Sequence, residues 1–524
     1  MPINAETIQY GPWPMGVRYD LPSEDIPPGG IRTMTNARLT QAAAIEKVLG
    51  TKAYQGVSAV GGGTSAVTMC GEFRVPSTGV EYDVMTVGAA AFYWNGSAWA
   101  DITGSVTITA GNDNTFEWTR AFDTLVMTNG VNAPIKWGGS GNMTTLDVDS
   151  RFTTADHVAA FDNRTWLGNT NANEDRLWYS NAGDPETWGA TSFYNLGSPI
   201  TGLQPLQNAL AVHTEDFISV LIPTGNATVP YQLQQRTSSD PRNPQQGGTV
   251  AGRALVTIPG NAQIFVLDDG VYMWAGGEVI QKVSYALDLG YWNTVNRARL
   301  SESFALYYAA ENEVWFWLPY GDGQTNMNHI MVMSLRHRYS DPATGDTHFA
   351  WYGPLDGATT TFERNCASII DNKPHAGTFG GKLLDHRPAN TYNHETAAYD
   401  SYFETGAPAP MGSDVDLRWL YAKTYYDALG SYSISMAQES QGVGVNIGSM
   451  TTTGGGEALG SFVLDTSTLG TVRMVSKDLD LKGYDPHSSL KFTNNTADEP
   501  YRIRRTHLQY KVIGRRRKQK AGVT

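Results

Sequence analysis

From about Phe73 to Arg387 one pattern recurs along the chain: an apolar or aromatic run, a turn of Gly, Asn or Asp, and a second such run. This is the signature of a β-hairpin, because Asn-Gly and Asp-Gly supply the positive φ that tight hairpin turns require. The clearest cases are "AAFYWNGSAWADI" at Asn95-Gly96, "TLVMTNGVNAPIKW" at Asn129-Gly130 and "QIFVLDDGVYMWAGG" at Asp269-Gly270. Turn centres near 95, 129, 171, 215, 269, 312 and 372 are spaced by 34 to 60 residues, which brackets the ~40 to 50 residues of a propeller blade. The expected fold is therefore all-β, with a β-propeller of about seven blades (range six to eight). A blade cannot bury both faces alone, so blades stack around an axis and the ring removes exposed sheet edges. The irregular spacing leaves packed sandwiches as the competing arrangement. Composition agrees with a strand-and-turn chain, since Gly takes 55 of 524 positions and Trp, Tyr and Phe number 14, 26 and 17.

The flanks read differently. Pro2 to Gly30 is rich in Pro and Gly and has few free backbone donors, so an extended arm is expected there, able to staple a neighbouring subunit. Its removal is expected to impair assembly while leaving the monomer folded. Thr35 to Gly50 suits either a helix centred on Ala42, Ala43 and Ala44 or a two-stranded hairpin. In "VWFWLP", Val314 to Pro319, both faces are apolar, which makes Trp315 and Trp317 core residues of an inner strand. After Arg387 a turn-rich linker is expected, followed by a second β domain opening with "LRWLYAKTYYDA" and divided by the Gly-rich stretch Gly442 to Gly460. Along the last strand Tyr501 and Ile503 share one parity and Leu508, Tyr510 and Val512 the other, so a β-bulge is expected near Arg504-Arg505. The resulting division is 1–50 arm and hairpin, 51–390 propeller, 391–415 linker, and 416–524 a sandwich-like β domain with a basic tail.

The formal net charge is −13, yet Tyr501 to Thr524 carries nine Lys or Arg and no acid, which leaves −22 for the rest. An acidic body argues against wrapping nucleic acid. Arg515, Arg516, Arg517, Lys518 and Lys520 are candidate contacts for a partner's acidic surface or for phosphate, against the ordinary reading of a solvated tail. Cys70 and Cys366 stand 296 positions apart with no nearby Cys or paired His, so two buried free thiols are expected. No apolar run approaches the ~20 residues of a membrane span, and Met1 to Tyr10 lacks the regions of a cleaved signal, so synthesis in the cytoplasm is expected.

Catalytic patterns are sparse. "SNAGDPETW", Ser180 to Trp188, departs from the Asp box of sialidase-type propellers in the order of its Asp and Gly, and reads as a turn with Trp188 packed beneath it. Asp268, Asp269, Glu311 and Glu313 fall at hairpin tips and read as solvated acids. His337, His348, His375, His386 and His394 lack metal-ligand spacing, and no phosphate loop, nucleophile elbow or His-Glu-x-x-His helix occurs. No enzymatic activity, cofactor or metal is expected.

Several phrases together resemble a known family: "GGIRTMTNARLTQAAAIEKVLGTKAY", "LVMTNGVNAPIKW", "DRLWYSNAGDPETW", "GGTVAGRALVTIPGNAQIFVLDDGVYMWAGGEVIQKVS" and "LKFTNNTADEPYRIRRTHLQYKVIGRRR". They are similar to the tail hub, or nozzle, proteins of podoviruses, also called phage stabilisation or tail accessory proteins, over about 29 to 517. Where relatives often carry Arg-Pro-Gly after the second strand, this chain has Lys47, Val48, Leu49 and Gly50. The resemblance favours the hairpin at 35–50. It implies a hexameric ring in the virion tail, below the portal and its adaptor or connector. That ring retains packaged double-stranded DNA, forms part of the ejection channel and carries fibres, spikes or a plug; no membrane insertion is implied. The rival readings are a glycan-binding or glycan-degrading propeller for host recognition and a cellular propeller scaffold, the latter disfavoured by the lack of regular WD or kelch repeats.

Overall fold

The computed structural model describes residues 5–226, 228–237, 247–340, 347–356, 362–440, 443–452 and 474–515. Among them helix is confined to six short 3-10 segments, and the rest of the regular structure is strand. Seven sheets follow one another around an axis. Blades 1 to 5 are built wholly from consecutive strands, spanning residues 67–101, 117–145, 155–195, 200–235 and 256–282, and blade 6 opens with four consecutive strands over 304–355. The seventh takes Arg364–Ile370, Lys373–Thr378 and Leu383–Asp385 and receives its outer strand, Lys52–Ala53, from before blade 1. Blade 7 packs against blade 1, so the ring closes at seven.

Each expected turn centre falls in a different blade, which is why their number was right. Their spacing was irregular because they mark different hairpins. The turns at 312 and 372 join first and second strands, those at 129, 171, 215 and 269 join second and third, and that at 95 joins third and fourth. The apolar cores lie between blades. Phe73, Leu125 and Trp137 pack blade 1 on blade 2, while Leu177, Ile200 and Leu221 pack blade 3 on blade 4. Trp315 and Trp317 are buried, as their two-faced apolar strand Glu313–Leu318 requires.

Blade 6 does not end at its fourth strand. Thr347–Leu355 pairs in parallel with Gly16–Val17, which pairs in parallel with Gly30–Thr35, and the sheet runs on through Ser401–Thr405, Ser489–Asn494, Tyr432–Ser440 and Val443–Thr452. Gly16 makes this junction feasible: its φ is +66°, and a Cβ there would lie 2.1 Å from the Trp351 carbonyl oxygen. Against this extension packs a six-stranded sheet that includes Val415–Asp427, Met474–Asp480 and Arg502–Arg515, forming the second layer of a sandwich. The hairpin Ala37–Leu39 and Ile45–Lys47 joins that second sheet, and no helix forms at 35–50. In the last strand Tyr425 faces Arg505 while Tyr426 faces Ile503, so Arg504 is the extra residue of the expected bulge.

Three boundaries need correction. Residues 5–30 are not an arm lying outside the body: Glu6–Tyr10 is a strand paired to Arg502–Arg515, and Tyr10, Trp13 and Val17 are fully buried, with Trp13 edge-on to Phe403 at 5.4 Å. Large aromatic side chains drive this inward packing despite the prolines. Residues 391–415 are not simply a linker, because Ser401–Thr405 is an internal strand between Gly30–Thr35 and Ser489–Asn494. Part of the Gly-rich stretch is also strand, Val443–Thr452 at the sheet edge, where glycine is tolerated better than in a central strand. The run "SFVLDT" at 461–466, which follows the Gly-rich stretch and reads in sequence as a further strand of this domain, lies outside the described residues.

Candidate functional site

The first strands of the blades line the propeller axis, and they enclose a cavity of about 190 Å³ bordered by Glu117, Trp118, Gln204, Arg253, Phe304 and Cys366 among others. The cavity is polar and internally satisfied. Arg253 donates to the Asn365 carbonyl at 2.9 Å and to the Glu302 carbonyl at 2.7 Å, tying the approach to blade 5 to blade 7 and to the segment before blade 6. Burial draws the Arg253 guanidinium below its ordinary range. Beside Gly252, His157 Nδ1 lies 3.1 Å from Glu117 Oε1. Burial alone would lower the His157 imidazole, but the Glu117 carboxylate outweighs it and holds the ring above its usual value. One mouth is spanned by residues 111–114: Asn365 Nδ2 donates to the Asn112 carbonyl at 2.9 Å, and Arg299 pairs with Asp113 at 2.9 Å. A duplex, whose major groove alone is about 12 Å wide, cannot pass such an axis.

The hairpin-tip acids do not share one environment. Asp268 is exposed; Asp269 accepts from Tyr272 Oη at 2.9 Å; Glu311 pairs with Arg38 at 3.4 Å and Arg336 at 3.3 Å. Glu313 corrects the expectation of a solvated turn acid. It is 3% exposed, paired with the buried Arg387 at 3.2 Å, and accepts from Trp315 Nε1 at 3.0 Å. In Ser180 to Trp188 the Asp184 carboxylate accepts from the Glu186 amide and the Thr187 hydroxyl, and Trp188 donates to the Asp147 carbonyl, so the segment is a capped turn.

The basic end divides in two. Arg502 and Arg504 both pair with Asp427, which is fully buried, and Arg502 also pairs with Glu46. These cations are thus committed within the chain. Arg515 closes the last strand opposite Val415, while Arg516, Arg517, Lys518 and Lys520 lie outside the described residues.

The histidines serve the fold. His337 Nε2 meets the Thr40 carbonyl, and His348 lies edge-on to Tyr285 and tilted against Tyr339. His375 packs on Tyr54, and His386 is enclosed by Trp315, Trp317 and Phe362. Among the described residues no three His, Cys, Asp or Glu side chains are placed to hold a metal ion. His213 has the Thr249 amide donating to Nδ1 at 3.2 Å, so Nε2 carries the proton and donates to Gln263 Oε1 at 2.8 Å. Burial pulls its pKa down to about 4, and that of His394 to about 3. Both rings are neutral in the folded chain and charge in the unfolded chain below about pH 6.5, so stability falls as pH drops through that window. From pH 6.5 to 4.5 the two together remove about 5 kcal/mol, at ~1.4 kcal/mol per unit each. Asp356, raised to about 6 by burial, and neighbouring His329, lowered to about 4, act in opposite directions and largely offset. The expected result is a steep loss of thermal midpoint between pH 6.5 and 4.5 that His213→Gln makes shallower; an unchanged slope in the variant would refute the assignment.

No known protein-family model matches the sequence, and no curated protein matches it. Among solved structures the chain is similar to the WD40 domain of Pan2 from Neurospora crassa (8% identity, covering 66% of this chain and 96% of that one, TM-score 0.37). It is also similar to the AfRom2 CNH domain (10%, 65% and 98%, TM-score 0.36) and to the computationally designed Ika8 protein (12%, 62% and 98%, TM-score 0.35). The propeller itself is established by the seven-sheet topology.

Proposed function

We propose that this chain is a structural subunit of a short phage tail, a hub or nozzle protein that assembles as a six-membered ring below the portal and its adaptor, retains packaged DNA and forms part of the ejection channel. The sequence resemblance over about 29 to 517 supports this reading. The observation that carries it structurally is the uninterrupted ten-stranded sheet from blade 6 into the sandwich. A subunit whose two domains share one sheet can pass load between them, as a ring surrounding pressurised DNA requires. Because the propeller axis is too narrow for a duplex, this reading routes the DNA between subunits, through the centre of the ring. An acidic lining there would repel phosphate and let the duplex slide, in keeping with the −22 carried outside the last 24 residues. The described chain already uses Arg502 and Arg504 internally, so the candidates to meet an acidic neighbour or a phosphate are the exposed Lys511 and the residues from Arg515 onward.

A second reading, a glycan-binding propeller, is favoured by one feature. The half-buried Trp94 and Trp99 stand edge to face at 5.7 Å beside Tyr54, near a groove of about 490 Å³ that includes Asp371, Asp385 and Lys373. Sedimentation of the purified chain, in the presence and absence of host surface polysaccharide, separates the two. The tail reading predicts a species of about six times the 57.1 kDa chain mass and no polysaccharide release. A monomer that binds or cleaves the polysaccharide, with binding lost in Trp99→Ala, would replace it.

A further inference from the structure

Cys70 and Cys366 are separated by 296 positions in sequence but by 3.7 Å between their sulfurs. Cys70 belongs to Val67–Arg74, the inner strand of blade 1, and Cys366 to Arg364–Ile370, the inner strand of blade 7. They therefore face one another across the seam where the ring closes. Both are free and both border the axial cavity, which gives a small oxidant a route to them. The seam is otherwise held by non-covalent contacts: the apolar cluster of Tyr54, Met85, Ile370 and Leu383, the bond from Asn365 Nδ2 to the Val67 carbonyl at 3.1 Å, and the short outer strand Lys52–Ala53. Packing fixes the two thiols where they stand. A Cβ on Gly377 would lie 2.5 Å from Val67 Cβ and 2.8 Å from the Cys366 sulfur, so that glycine is the space into which the seam closes.

We propose that Cys70 and Cys366 form an oxidisable pair whose disulfide covalently closes the propeller ring. With hydrogen peroxide as oxidant the Cys366 sulfur attacks one peroxide oxygen, the O–O bond breaks, and water leaves with the thiol proton, giving a sulfenic acid. The Cys70 sulfur then attacks the sulfenic sulfur, its proton and the hydroxyl leave as a second water, and the S–S bond forms. Two thiols and one peroxide give one disulfide and two waters, the two electrons passing from sulfur to oxygen. A disulfide bond is about 2.05 Å long, so the sulfurs approach by less than about 2 Å, within reach of side-chain rotation. The hydrogen bond it shares with Cys366, together with burial, keeps the proton on the Cys70 sulfur and holds the thiol above its ordinary range, which slows the reaction relative to that of an exposed thiol.

A bond here encloses nearly the whole propeller in one loop, and the constraint a disulfide places on the unfolded chain grows with loop length. It also locks the interface through which an unlinked ring opens. This inference does not depend on the tail reading.

The full-length protein is treated with hydrogen peroxide, quenched, and its thiols counted under denaturing conditions, with a parallel sample reduced afterwards. The expected count falls from two to none, the digest yields one cross-linked peptide containing Cys70 and Cys366, and the unfolding midpoint rises by roughly 5–10 °C, all reversed by the reductant. Cys70→Ser and Cys366→Ser each keep one thiol and show no rise. Should a variant fail to fold, the thiol count and peptide map of the wild-type chain decide alone. Retention of both thiols after excess peroxide, or their conversion to sulfinic acids without a cross-linked peptide, overturns the proposal.

Discussion

A chain lacking residues 1–30 is expected to lose its folded sandwich and to accumulate as insoluble or protease-sensitive protein. The deletion removes Tyr10, Trp13, Val17 and Ile26, all at most 1% exposed, together with the strand pairing of Glu6–Tyr10 and the bridging strand Gly16–Val17. Replacing a single buried aromatic of this size by Ala costs about 3–5 kcal/mol, and domains are stable by only about 5–15 kcal/mol. Trp13→Ala alone should therefore lower stability by about 3–5 kcal/mol, read as a reduced denaturation midpoint. A truncated chain with a native circular dichroism spectrum and melting curve would show that the segment is peripheral.

The second large effect is expected at Glu313 and Arg387, both nearly inaccessible and paired at 3.2 Å, with the Arg387 guanidinium also 5.1 Å from the Trp315 ring. Removing one partner leaves a buried charge without its counter-ion, which costs about 3–5 kcal/mol. Glu313→Leu and Arg387→Leu should each show that loss in urea unfolding. The double variant should recover most of it, since a buried ion pair replaced by packed apolar groups is often neutral. The pair joins blade 6 to the end of blade 7, so the single variants should also raise proteolytic cleavage at that interface. Additive losses in the double variant would mean that the two side chains act independently.

What was legible in the sequence was local. Turn residues sit beside the runs they reverse, so each blade announced one hairpin, and the parity change between Ile503 and Leu508 marked the bulge at Arg504. Apolar residues on both faces of Glu313–Leu318 foretold burial because a two-faced pattern has no solvent side. What was not legible depended on partners distant in sequence. The prolines of the opening segment excluded regular pairing over most of its length, yet the two residues Gly16–Val17 suffice to bridge two sheets. Glu313 looked like a turn acid because Arg387 lies 74 residues away. The two cysteines looked unrelated because ring closure brings the chain back on itself only after seven blades. The basic end misled in part: charge counting could not reveal that Asp427 takes up Arg502 and Arg504.

Electron microscopy of the purified full-length protein, alone and mixed with the portal adaptor that the proposal requires, tests the central claim most directly. The account predicts six-fold rings in which each subunit's propeller and sandwich keep one fixed relation, around an open central channel lined predominantly by acidic side chains. Stable monomers that neither form rings nor attach to the adaptor, or a ring whose channel is lined by net basic charge, would contradict it.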